Sequence, residues 1–121
     1  MTIQLKRIYN NPSSDDGYRV LVDKLWPRGI SKDAAKLDEW IKDIAPSDEL
    51  RKWFHRNNSE WSEFRNRYLS ELKEHKEDLR DLASKASSEK VTLLYSSKDT
   101  EHNNAVVLKE YLNKLHSEWC H

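Results

Sequence analysis

A single α/β domain, built on a small mixed, largely parallel sheet of three to four strands flanked by helices, follows from three features of the sequence. Two short runs, Val20-Leu21-Val22 and Val91-Thr92-Leu93-Leu94-Tyr95, are apolar at every position or nearly so, the pattern of strands covered on both faces. Between them lies a long charged block whose apolar residues recur at the helical period, as the crossovers of a parallel sheet require. The 121 residues are the size of one domain, so residues 1–121 are read as one unit.

The elements can be justified in order. Ile3 to Ile8 alternates apolar and polar residues and reads as a strand. Asn10 to Gly17 is built from turn formers and forms a loop, and Tyr18 to Leu25 is the second strand. This loop is shorter than a parallel crossover, so the first two strands either form a hairpin or lie apart. Residues 37–44 fit both periods and are read as a strand. A helix runs from Ser47, a good N-cap followed by Asp48 and Glu49, to about Phe54. A longer helix starts near Asn58 or Ser59 and aligns Trp61, Phe64, Tyr68 and Leu72 on one face. A break near His75 separates it from a helix carrying Leu79, Leu82 and Ala86. After the strand Val91–Tyr95, the last helix spans about Thr100 to Ser117, with Ala105, Leu108, Leu112, Leu115 and Trp119 as its stripe.

Composition removes several functional classes. Hydrophobic residues are 36% and charged ones 35%, yet the net charge is zero and five Trp with five Tyr supply large apolar area from few positions. No run approaches the length of a membrane span, and the amino terminus is interrupted by Lys6 and Arg7, so no membrane or targeting segment is expected and the cytoplasm is the default location. The single cysteine, Cys120, excludes an internal disulfide, and no Cys or His set has zinc spacing, so no metal is expected. Its place beside the chain's end, even with His116 and His121 near, is poorly suited to covalent catalysis. The balanced charge argues against broad nucleic-acid binding. With two glycines the chain has neither a phosphate-binding loop nor a dinucleotide fingerprint, and no cofactor is expected.

Chemistry is sought where strands end, because ligands of open α/β sheets bind beyond the carboxyl ends of the strands. The first such end is Asp23-Lys24-Leu25-Trp26-Pro27-Arg28-Gly29. Here Arg28 stands between a φ-locked proline and a permissive glycine, suited to presenting a guanidinium to an anion. The alternative is a plain turn in which Trp26 is core and Arg28 pairs with Asp23. The second end is Tyr95 to Asn104, where Ser96, Ser97, Lys98 and Asn103 precede a helix N-terminus, a combination that suits an anion and equally suits a solvated cap. His102 in this run is the best candidate for proton transfer, with Asp23 as its partner. His55, His75, His116 and His121 rank below it because none accompanies a strand end.

The runs Asp16 to Asp23, Leu25-Trp26-Pro27-Arg28-Gly29, Ala45-Pro46-Ser47 with Glu49-Leu50-Arg51, and Leu93 to Asp99 resemble the YeaO-like bacterial proteins, a domain family of unknown function. The similarity covers nearly the whole chain. Longer relatives of the wider family carry Asp-x-Arg after the second strand and Cys-His-Arg before the last helix. Here Asp23-Lys24-Leu25 keeps the acid while the arginine moves out to Arg28. The second motif is matched by His102 with Asn103 and Asn104, and no cysteine stands there, so thiol chemistry of the longer members does not transfer.

Two functions are therefore carried forward. One is an anion-binding protein, a hydrolase or transferase if it is an enzyme, in which Arg19, Lys24, Trp26, Arg28, Ser96, Ser97, Lys98 and Asn103 hold a phosphate- or carboxylate-like ligand while Asp23 and His102 move protons. The other is a regulatory module that binds protein or nucleic acid without chemistry.

Overall fold

The computed structural model describes residues 1–119; Cys120 and His121 lie outside the described residues, and so does the side chain of Trp119. Its four strands are β1 (Ile3–Arg7), β2 (Tyr18–Leu21), β3 (Glu39–Trp40) and β4 (Val91–Tyr95), in the order β1-β4-β2-β3. All three pairings are parallel: Leu5 lies opposite Leu93, Val20 opposite both Leu93 and Glu39. The two doubly apolar runs are thus the neighbouring interior strands. β1 and β2 lie apart, with β4 between them, rather than forming a hairpin.

The loop joining β1 to β2 crosses over β4 with only a 3-10 turn at Ser14–Asp16, whose Ser13 cap accepts from the Asp15 N–H. Gly17 follows at φ +65°, and a Cβ there would come within 2.3 Å of the Lys90 carbonyl oxygen, so glycine is required at this close crossing. β2 is shorter than its apolar pattern suggests. Val22 N–H still donates to Leu94 O, but at the next step the Asp23 side chain, not a backbone carbonyl, takes the Ser96 N–H. The segment read as a strand at 37–44 yields two ladder residues, a short edge of the kind that resists pairing with other chains.

Among the described residues there are five α-helices: α1 (Lys32–Ala35), α2 (Asp48–Arg56), α3 (Trp61–Leu72), α4 (Lys76–Ser88) and α5 (Asn104–Trp119). α1, a single turn capped by Ser31, is absent from the sequence reading because four residues are too few to show a period. The break near His75 is a 3-10 turn over Lys73–His75. α5 begins later than Thr100. The Asp99 carboxylate takes the Glu101 and His102 amides into a separate turn, and Asn103 Oδ1, accepting from Val106 N–H, is the true cap.

Strand alternation divides the core. Val20, Val22, Val91, Leu93 and Tyr95 face a large cluster with Phe64, Tyr68, Leu72, Leu79, Leu108 and Leu112 from the helices. Leu21 and Leu94 face the other side, where Ile8 and Ala35 are covered by Trp26, Ile30, Leu37 and Trp40. Trp26 therefore belongs to the second core layer: its ring meets Trp40 edge-on at 5.3 Å and its indole N–H donates to Ile30 O at 2.7 Å. On the same face, towards the amino ends of the strands, Asp16 is buried and accepts from Gln4, Lys6, Ser13 N–H and Arg19.

Candidate functional site

The carboxyl ends of β2 and β4 open into a cleft of about 570 Å³. Asp23, Lys24 and Leu25 line one side, and Ser96, Ser97, His102, Asn103 and Asn104 line another. α2 lies across it with Arg51, Lys52, Phe54, His55 and Arg56, and Phe64 and Pro46 complete the lining. This is the position that strand polarity predicts for a ligand.

Asp23 is the pin that closes the site's back wall. Its Oδ2 accepts from Ser96 N–H at 2.8 Å and Ser96 Oγ at 2.7 Å, while Oδ1 accepts from Asn104 Nδ2 at 3.0 Å. Asn104 also donates to Val22 O, so one amide group ties the first turn of α5 to the end of β2. Arg7 Nε donates to Ser97 O at 2.9 Å and its NH2 to Ser96 O at 3.4 Å, holding the same loop from β1. Three donors thus hold the Asp23 carboxylate against the loop after β4 and the first turn of α5.

His102 stands at the rim. Its Nδ1 lies 3.3 Å from Asp99 Oδ2 and its ring is 4.9 Å from that of Trp61. The amides of Glu101 and His102 hold the Asp99 carboxyl below its usual range, which keeps it ionised beside the imidazole. His102 pairs with Asp99, then, while Asp23 bonds Ser96 and Asn104; the expected Asp23–His102 couple is replaced by two separate contacts.

α2 supplies the charge. Ser47 caps it, accepting from Leu50 N–H, and is itself anchored by Glu71, which accepts from both the Ser47 amide and its hydroxyl. Lys24 Nζ and Arg51 NH2 share Asp48 Oδ1 at 3.4 and 3.3 Å, and their hydrogen bonds lower the Asp48 pKa. The buried Nε of Arg51 has no hydrogen-bond partner among the described residues. With Lys52 and Arg56, the lining carries four cations against Asp23, two of which, Lys24 and Arg51, pair with Asp48. Beneath the site Tyr68 is fully buried; burial first, then the charges of Asp23 and Glu71, push its pKa well up, and its hydroxyl donates to Ile44 O at 2.6 Å.

Residues 2–119 match the family model described as the inactive DUF488-N3 subclade. The chain belongs to this family. It is 50% identical over 115 residues to the uncharacterized protein YeaO of Escherichia coli strain K12, covering 95% of this chain and 100% of YeaO. It is 38% identical over 111 residues to the uncharacterized protein Rv3073c of Mycobacterium tuberculosis strain H37Rv, covering 92% of this chain and 93% of that protein. No solved structure matches.

Of the site residues read from the sequence, Asp23, Lys24, Ser96, Ser97, His102 and Asn103 come together in the cleft. Arg19, Trp26, Arg28 and Lys98 are not among its lining residues. Arg19 is buried on the opposite face, bonded to Asp16 at 2.5 Å, Ala35 O at 2.7 Å and Lys36 O at 3.1 Å. Trp26 is under the sheet, while Arg28 and Lys98 are exposed; Arg28 meets the protein through its carbonyl, which accepts from Tyr9 Oη. Strand-end reasoning missed Arg51, Lys52, His55 and Arg56, because they sit within a helix. The available signal was their spacing, which puts a run of basic side chains on one side of α2.

Among the described residues no helix is long and apolar enough to cross a membrane, and no group of three or more His, Cys, Asp or Glu side chains is placed to hold a metal ion.

Proposed function

We propose that this protein is a receptor for a small phosphate- or carboxylate-like anion, held in the cleft at the carboxyl edge of the sheet without chemical conversion. The observation that carries this reading is the α2 cationic face, Arg51, Lys52 and Arg56, set opposite Ser96 and Ser97 in a cleft whose one lining carboxylate already has three donors. Cations, hydroxyls and the start of a helix are the parts that anion sites combine. Two observations favour binding over a hydrolase or transferase. The family is described as inactive, and the chain has no cysteine where longer relatives carry Cys-His-Arg.

The experiment is titration calorimetry of the full chain with inorganic phosphate and with acetate at low salt, comparing wild type, Arg51→Gln/Arg56→Gln and Arg28→Ala. Saturable binding lost in the double variant and kept in Arg28→Ala is expected. Absence of saturable heat with either anion, or binding indifferent to the double variant, would overturn the reading in favour of a module that engages a macromolecule through other surfaces.

A further inference from the structure

We infer that the anion bound in this cleft carries a flat aromatic body, so that aryl phosphates and aromatic carboxylates are its ligand class; this rests on the anion-site reading above. The cleft's volume of about 570 Å³ lies within the range of pockets that enclose organic molecules, well beyond the needs of a bare tetrahedral ion. Its wall is aromatic. Phe54 and Phe64, both lining residues, are stacked with centroids 4.2 Å apart and planes at 21°. Behind this pair and outside the lining, Trp61 lies 6.0 Å from Phe54 and 5.6 Å from Phe64, and its ring is 4.9 Å from that of His102, which does line the cleft. Pro46 and Leu25 extend the apolar lining, and Leu25 is 59% exposed there, an aliphatic side chain left for contact beside the cations.

The kind of cation also matters. Arg51 and Arg56 present planar guanidinium groups, and His55 and His102 present imidazoles, all of which stack on π faces as well as bonding to oxyanions. A saturated body of equal size would gain the apolar contacts alone. An aromatic one gains both.

The test is a calorimetric series of inorganic phosphate, methyl phosphate, cyclohexyl phosphate and phenyl phosphate with the full chain. Phenyl phosphate should bind about tenfold more tightly than methyl phosphate, with cyclohexyl phosphate between them. Leu25→Ser, a change at an exposed position, should narrow the ratio between phenyl and methyl phosphate. If phosphate binds and the double arginine variant abolishes it, while phenyl and methyl phosphate bind equally, the aromatic inference falls and the anion site stands. If no member of the series binds, both fall. A cyclohexyl ester that matches the phenyl ester would also overturn the aromatic assignment, leaving a merely apolar pocket.

Discussion

Two aspartates bracket β2, and their surroundings have opposite characters. Asp16, just before the strand, is buried and bonded to two cations, Lys6 at 3.1 Å and Arg19 at 2.5 Å, with Gln4 and the Ser13 amide filling its remaining positions. Asp23, just after the strand, is bonded only by neutral donors from Ser96 and Asn104, and none of the basic side chains that line the cleft with it is its partner. Both clusters combine acid, arginine and lysine. At the amino edge the cations are consumed by the buried acid and the cluster is architecture; at the carboxyl edge Lys24 and Arg51 pair with the exposed Asp48, while Lys52 and Arg56 line the cleft. What separates the two clusters is therefore which donors the acid has taken, a property of three-dimensional pairing rather than residue type.

This contrast can be broken at several points. The largest effect is expected for Arg19→Ala, which leaves Asp16 a buried acid short of its closest partner and should cost about 3–5 kcal/mol in chemical denaturation. A loss below about 1 kcal/mol would put Arg19 outside the load of the fold. Phe64→Ala, a change under the cleft, should cost a comparable amount, about 3–5 kcal/mol, by opening a cavity in the main cluster. Asp23→Ala removes acceptors from Ser96 and Asn104 and should cost about 1–3 kcal/mol, less than Arg19→Ala because Asp23 is only partly buried. Acid sharpens the comparison further. Burial alone would raise the Asp16 pKa, but the Ser13 amide, Lys6 and Arg19 together bring it below 3.8. Its contribution is thus complete above the ordinary carboxylate range and is lost as pH falls through the folded value, so urea midpoints should drop between about pH 5 and pH 2 and drop less in Asp16→Asn. Smallest of all, Arg56→Gln should move stability by no more than about 0.5 kcal/mol while weakening anion binding. A large loss of stability there would make Arg56 another structural cation.

Much of the frame was legible because hydrophobic pattern is local. Val20 to Val22 and Val91 to Tyr95 announce interior strands through their own residues, and Phe64, Tyr68 and Leu72 announce a buried helical face. The end of β2 was not legible, since the handover from backbone pairing to the Asp23 side chain depends on Ser96, far along the chain. At the cleft, the lining by the polar run after β4 was legible from its position beyond a strand. The α2 cations were missed for the converse reason: a basic helix face reads as solvated surface until the fold lays it across a cleft. Arg19 was misassigned because its pairing with Asp16 and the carbonyls of Ala35 and Lys36 is invisible in a linear pattern.

The insertion of β4 between β1 and β2 bears on how the chain is made. Neither early strand is bonded to the other; both find their partner in residues 91–95. During synthesis at roughly 5–20 residues per second, the roughly 70 residues separating β2 from β4 take about 4–14 s to appear. Through that interval β2 has only the two-residue ladder with β3 on one edge, and its other edge waits for β4. The sheet therefore closes only after residues 91–95 have emerged, since β4 is the strand that joins β1 to the β2–β3 pair.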